Sequence, residues 1–391
     1  MEKSLIRSFE ETYQSRPEIL SFAPGRVNII GEHTDYNLGY VLPAALTLRN
    51  YFLASRRQDE NVLLWAENFR QKEEFSLPEI FFSQTNHWAN YIKGIFWILE
   101  KEGFNLHGVD AFIWGEIPLD AGLSSSAALE VSVICGLNAL FKLGLDPERM
   151  ALLAQKAEND FVGVKCGLMD QFISVLGKEN KALFLDCETL GYELIPLYLK
   201  KTELGMVIYD SGVKRELASS EYNKRRFEAS SALDILKKYG VKSYKGMDLK
   251  ALEEKRDKMD EVLYKRAKHI VSENQRVEKA VEALKNDDFL LLGELLFLSH
   301  ESLRDDYEVS CPELDLLYEM AREFSGSLGA RLTGAGFGGS GLALVEKDKI
   351  SAFEEKMLLE AKKRGFIQPE MYKIEIGEGA KAYWLDKEEI K

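Results

Sequence analysis

Apolar and polar positions along the chain follow two different periods, and the switches between them outline an architecture. Residues 50–55, 62–66 and 109–114 are short, largely apolar and aromatic runs bounded by polar or glycine-containing breaks, which predicts strands. From Leu123 the period changes. Leu123, Ala127, Val131, Ile134, Leu137 and Phe141 recur at steps of three and four, one face of a helix, and Gly144 marks its stop. Asp146-Pro147-Glu148 then predicts a new helix start, with Asp as N-cap, Pro at the first position and an acid in the first turn. Its apolar face runs through Met150, Leu153, Ala154, Ala157 and Phe161.

Residues 219–302 read as helical and charge-rich, and runs such as 253–258 predict solvated helix faces. The most apolar stretch, 289–298, carries Glu294 and is too short to span a bilayer, so it predicts a core helix. A turn with five glycines at 334–341 leads into a strand at 342–345. Helical and strand patterns alternate in both halves. This predicts an α+β fold of two domains, 1–190 and 191–391, divided near Leu190-Gly191-Tyr192.

Composition then removes several classes of function. At 46% hydrophobic and 29% charged residues the 391-residue chain fits a globular protein with sizeable cores. With 51 basic against 64 acidic residues the net charge is −13, so no nucleic-acid partner is expected. An anionic nucleotide is still compatible with this balance, held locally by Arg, a metal ion and backbone N–H groups. Cys135, Cys166, Cys187 and Cys311 form no CxxC pair, which argues against structural zinc and for reduced cysteines in the cytoplasm. The first residues contain no apolar run, so neither a signal peptide nor a membrane partner is expected.

Four segments carry chemistry. In residues 23–37 a strand-like stretch with Val27, Ile29 and Ile30 gives way at Gly31 to Glu32, His33 and Asp35. These acceptors and a donor, packed within four residues, are what the vicinal hydroxyls of a sugar require. A sugar lacking one hydroxyl would leave a buried carboxylate unpaired and be rejected. In residues 118–128 a small-residue loop with Ser124, Ser125 and Ser126 opens the Leu123 helix. Close backbone N–H groups and a helix N-terminus suit phosphate oxygens, and the hydroxyls suit a phosphate or a metal ion, whereas a plain N-cap needs one Ser only. Asp170, within Gly167-Leu168-Met169-Asp170-Gln171-Phe172, taken alone reads as a helix N-cap and in company as a functional carboxylate. The glycines after Thr333 permit close backbone approach. No GxxxxGK[ST] motif and no dinucleotide fingerprint occurs, which disfavours those nucleotide folds.

In this order the motifs resemble the GHMP family of small-molecule kinases, named for galactokinase, homoserine kinase, mevalonate kinase and phosphomevalonate kinase. The loop at 122–127 and the turn at 333–340 resemble elements shared across that family. The run Gly25-Arg26-Val27-Asn28-Ile29-Ile30-Gly31-Glu32-His33-Thr34-Asp35-Tyr36-Asn37 resembles the signature of its galactokinase branch. So do His87-Trp88-Ala89-Asn90-Tyr91, Ala157-Glu158-Asn159 and the stretch Leu217 to Tyr222 with Arg225-Arg226.

The resemblance implies a two-domain GHMP kinase fold: an N-terminal domain like domain 2 of ribosomal protein S5, a ferredoxin-like C-terminal domain, and the active site between them. It implies ATP-dependent phosphorylation of galactose at its C1 hydroxyl by a monomer. Glu32, His33, Thr34, Asp35, Gly167, Asp170 and Tyr222 would bind the sugar. Asp120, Ala121, Gly122, Leu123, Ser124, Ser125 and Ser126 would hold the ATP phosphates. Ser126 and Glu158 would hold Mg²⁺, Asp170 and Arg26 would be the catalytic pair, and Trp88 and Tyr91 would border the adenine. Two alternatives belong to the same family: a kinase for an N-acetylated hexosamine, and a sensor that binds galactose and ATP without turnover. Sensors lose residues of the phosphate loop, which is intact here. Two departures stand out: the stretch Asp210 to Glu216 lacks the usual Asn-Ser and His, and Ser340 replaces a usual Cys.

Overall fold

A computed structural model of the chain describes residues 1–118, 121–213 and 218–385. Its strands are β1 (Ile19–Asn28), β2 (Tyr40–Val41), β3 (Pro43–Arg56), β4 (Asn61–Ala66), β5 (Gln71–Ser76), β6 (Val109–Gly115), β7 (Lys181–Asp186), β8 (Tyr192–Pro196), β9 (Leu204–Asp210), β10 (Ser327–Thr333), β11 (Ser340–Glu346), β12 (Glu370–Ile374) and β13 (Lys381–Trp384). They form three sheets, in the orders β13-β1-β3-β6-β4-β5, β10-β11-β9-β12 and β2-β7-β8. Within the first sheet only β4 and β6 run parallel.

Every residue of β1 is buried. Its alternating side chains feed two cores: Leu20 and Phe22 pack with Leu5, Ile6 and Phe9 of the helix Glu2–Tyr13, and Ile19 and Ala23 join the large core with the helix Ser125–Phe141. The β1–β3 register shifts between Pro24 and Arg26. The Arg26 N–H leaves the ladder there and donates to the Leu123 carbonyl at 3.0 Å. A Cβ on Gly25 would lie 2.7 Å from that same carbonyl, so the close approach needs glycine. The irregularity thus turns Arg26 toward the loop that opens the helix.

The helix starts follow local chemistry. Asp146, Asp260 and Asp288 each accept the backbone N–H three residues on, and Pro147 occupies the first turn of its helix. Asp170 does not act as an N-cap. Leu168 holds that position, and Asp170 lies in the first turn of the helix Met169–Leu176. Residues 253–258 are largely exposed, as expected, but span a helix end at Glu253 and a separate 3-10 turn at Arg256–Lys258. No helix among the described residues is long and apolar enough to cross a membrane.

Residue 190, where the sequence suggests a division, lies in the turn between the paired strands β7 and β8, and β13 returns to pair with β1. The first sheet therefore draws on both ends of the numbered range, while β9 to β12 form the second sheet. The helix Phe289–Asp305 lies across β10 through two facing glycines. A Cβ on Gly293 would meet the Leu328 carbonyl oxygen at 2.1 Å, and one on Gly329 would meet the Gly293 carbonyl oxygen at 2.4 Å. This contact sets the height of β10, which ends at Thr333 where the glycine-rich turn begins.

Helix propensity alone makes Gly293→Ala stabilising by about 1 kcal/mol. The backbone contact reverses the sign: the variant is expected to lose about 2 kcal/mol to overpacking, measured by urea denaturation.

Candidate active site

A cavity of about 540 Å³ collects residues from the segments singled out above. At its centre lies Arg26, almost fully buried. Its Nε donates to Asp170 Oδ1 at 2.7 Å and its Nη2 to Oδ2 at 2.9 Å, the bidentate geometry in which guanidinium and carboxylate fit best. Its third nitrogen, Nη1, donates to the Gly122 carbonyl at 2.6 Å. One side chain thus joins β1, the helix Met169–Leu176 and the small-residue loop.

That loop is shaped by special backbone geometry. Gly122 has φ +72° and Ser124 has φ +57°, both left-handed. Ser124 stands at the N-cap of the helix Ser125–Phe141 but makes no side-chain cap. Its hydroxyl donates to Asp170 Oδ2 instead. Ser124, Ser125 and Ser126 line the cavity, so the free N–H groups of the helix N-terminus face it. Ala121 is fixed from the other domain: buried Ser340 donates from Oγ to its carbonyl at 2.5 Å. The Ser at this departure therefore has a structural partner. Asp120 lies outside the described residues.

The polar run after β1 enters the cavity from another side. Glu32, His33 and Asp35 line it, together with Tyr36, Gly167 and Tyr222. His33 has φ +63°. Its Nδ1 lies 2.7 Å from the Tyr36 hydroxyl, and its ring sits among Tyr36, Tyr222 and Tyr307. Burial pushes its pKa well below the ordinary histidine value and keeps the ring neutral. Its Nε2 is buried and has no hydrogen-bond partner among the described residues. Burial, and next the charge of Asp170, raise the Asp35 carboxyl to about 7. A Cβ on Gly167 would lie 1.7 Å from Asp35 Oδ2, so only glycine fits against this carboxylate.

Thr34 does not belong with them. It is fully buried, and its hydroxyl sits 2.8 Å from the Gly31 carbonyl and 2.6 Å from that of Tyr40. Its side chain shapes the loop and does not reach the cavity. Glu32 is also more engaged than its position in the motif suggests. Its Oε1 accepts from Gly334 N at 2.7 Å and Thr333 Oγ1 at 3.1 Å, and lies 3.2 Å from Arg331 Nη2. Only Oε2 is left for a ligand.

Ser126 and Glu158 come together in the lining of the cavity, near enough for the Ser126 hydroxyl to act on the Glu158 carboxylate. Glu158 is raised to about 7, by burial above all and by the charge of Asp170, against hydrogen bonds from Cys166 and Gln171. Gln171 Nε2 donates to Glu158 Oε2 at 2.7 Å and to Glu130 Oε2 at 3.2 Å. Glu130 is fully buried, and burial pushes its carboxyl well above the usual range. A hydroxyl and a carboxylate are hard oxygen ligands, a set that Mg²⁺ accepts when phosphates complete its shell. Among the described residues no cluster of three or more His, Cys, Asp or Glu suits a metal by itself. Phe69, Trp88 and Tyr91 line the same cavity.

Several participants carry no local signature. His269 and Glu273 sit singly in a helix, Arg331 in a strand and Tyr307 in the bend after the helix Phe289–Asp305, and only their long-range partners reveal them. Tyr36 and Cys166 lie beside motif residues and lacked only a stated role.

Comparison with known proteins agrees with this geometry. Residues 7–56 match the family described as galactokinase galactose-binding signature, residues 90–178 the GHMP kinases N terminal domain, and residues 280–363 the GHMP kinases C terminal. The chain is 43% identical to the galactokinase of Staphylococcus carnosus over 97% of its own length and 98% of that protein's. It is 44% identical to that of Pyrococcus furiosus over 86% and 92%. The crystal structure of Lactococcus lactis galactokinase complexed with galactose superposes with a TM-score of 0.93 at 40% identity, covering 97% and 98% of the two chains. Methanococcus jannaschii mevalonate kinase, at 19% identity and a TM-score of 0.64 over 93% and 99%, shares the fold. With relatives this similar over nearly the whole length, the chain belongs to the galactokinase family of GHMP kinases.

Proposed function

We infer that the protein transfers the γ-phosphoryl group of ATP to the C1 hydroxyl of galactose, giving galactose 1-phosphate and ADP. The observation that carries this is the Arg26–Asp170 pair. It lies between a loop able to cradle phosphates and a polar run able to hold a sugar, all in one cavity. The Lactococcus lactis relative was crystallised with galactose, which supports the choice of sugar.

Phosphoryl transfer needs positioning and neutralisation more than covalent chemistry. Glu32 Oε2, Asp35 and the His33 and Tyr222 rings would frame the sugar, with the Gly167 backbone close beside it. Residues 120–126 would hold the ATP phosphates, with Phe69, Trp88 and Tyr91 at the base. Ser126 and Glu158 would hold Mg²⁺, which when bound supplies positive charge to the phosphate oxygens. Asp170 would orient the C1 hydroxyl and receive its proton. Arg26 fixes both carboxylate oxygens in place. Arg26 also contacts the phosphate loop, so the acceptor's partner and the donor's cradle share one reference point. Four free cysteines suit a cytoplasmic setting.

Asp170→Asn is expected to lower kcat by about a thousandfold while ATP still binds, read by coupled ADP release and nucleotide titration. Gly167→Ala should push Asp35 aside and raise the galactose KM at least about tenfold with little change in the ATP KM. A sugar panel of galactose, glucose, talose and N-acetylgalactosamine tests the substrate. Preference for the N-acetylated sugar, or no ADP with any of them, overturns the reading. The raised Asp35 carboxyl gives a pH dependence whose sign follows directly. Its ionised form accepts sugar hydroxyls and grows as pH rises through about 7, so kcat/KM for galactose should climb between pH 6 and 8. Asp35→Asn should be weaker throughout and lack that step.

A further inference from the structure

The segment that carries the sugar-facing groups obtains little support from its own sheet. β1 ends at Asn28. Ile29 and Ile30 still pair with Leu42, through Ile29 N to the Leu42 carbonyl and Leu42 N to the Ile30 carbonyl. From Gly31, with φ +103°, the backbone leaves that pairing, and its next N–H groups are buried. Buried N–H groups need acceptors. The acceptor is Glu273, from the helix Glu261–Lys285. Its Oε1 accepts from Gly31 N at 2.9 Å, from Glu32 N at 3.4 Å and from Ser299 Oγ at 2.7 Å. Its Oε2 accepts from Arg276 Nε at 2.7 Å.

Glu273 is fully buried and is not among the residues lining the cavity. Burial opposes its charge, but Arg276 above all, then His269 and Arg331, hold its carboxyl at about 2. The same helix grips the loop twice more. His269 Nε2 lies 3.1 Å from the Glu32 carbonyl, and Asn274 Oδ1 accepts from Tyr40 N at 2.8 Å. The phosphate loop hangs on other contacts, those from Arg26 and Ser340.

We infer that Glu273 is a positioning residue for sugar recognition: by accepting the Gly31 and Glu32 backbone N–H groups it sets where Glu32, His33 and Asp35 stand in the cavity. It acts through the loop and does not touch the substrate. The inference rests on the galactokinase reading, and it separates the two substrates. Loss of the Glu273 contact moves the sugar side and leaves the nucleotide side in place.

Two conservative variants decide it. Glu273→Asp keeps the charge and the pair with Arg276 but draws the carboxylate back from Gly31. Glu273→Gln keeps the reach. Its amide oxygen takes the side with three donors, and its amide nitrogen then faces Arg276 and weakens that contact. Positioning by reach therefore orders the galactose KM as Asp variant above Gln variant, with the Asp variant raised about tenfold and the Gln variant within about threefold of wild type. The ATP KM should stay within about twofold in both. Thermal stability should run the other way, with the Gln variant melting lower because a buried ion pair is broken. A galactose KM that follows thermal stability, that is unchanged in the Asp variant, or that rises together with the ATP KM overturns the inference. Wild-type protein that releases no ADP with galactose overturns the functional reading itself, a different result from wild-type turnover with an unaffected Asp variant.

Discussion

The bidentate contact between Arg26 and Asp170 is the interaction around which the molecule is arranged. An Arg that is almost fully buried is costly to desolvate, and removing either partner would strand the other's charge. The fold is built to keep both in place. The irregular register in β1 directs the Arg26 N–H to the Leu123 carbonyl, Gly25 admits that carbonyl beside it, and the first turn of the helix Met169–Leu176 presents Asp170. Ser124, in a left-handed conformation that a non-glycine residue adopts only under constraint, adds a third group to the same carboxylate. Three segments far apart in sequence are thereby registered against one charge pair.

Around this pair the cavity is crowded with acids. Asp35, Asp170, Glu32 and Glu158 all line it, and Glu130 lies buried behind. Positive charge comes from Arg26 in the cavity and from Arg331 behind Glu32. Asp35 and Glu158 respond by holding their protons more tightly than exposed carboxyls do. Sugar hydroxyls and a cation are partners that would suit such carboxylates.

Elements whose reasons are local could be read from the sequence. The 3.6-residue period placed the helix Ser125–Phe141, and Asp146-Pro147 placed the start of the next. Glu32, His33, Asp35, Gly167 and the serine loop line one cavity, and each could be singled out because it lies in a dense local motif. Thr34 misled because a motif does not say which way each side chain points, and its hydroxyl turned to its own loop. Asp170 is ambiguous only when taken alone, since an acid near a helix start has a common structural use; Leu168 holds the N-cap, and the company of the other motifs is what marks Asp170 as functional. Glu273, Arg331 and His269 were invisible because their roles depend on partners more than two hundred residues away.

The pairing of β13 with β1 has a consequence for how the chain acquires its structure. Ile19 to Phe22 form the inner side of a strand pair whose outer side is Lys381 to Trp384. During synthesis from the N-terminus, β1 can pair with β3 once Arg56 has emerged, but its other edge stays open until residues 381–384 are made. An open, apolar strand edge is a template for unwanted pairing between chains. Non-local closures of this kind are also slow, because loop entropy opposes them before any contact rewards them. The ladder that seals the sheet carrying Arg26 therefore depends on a segment more than 350 residues further along the chain, and until that segment is made one edge of β1 is without its partner.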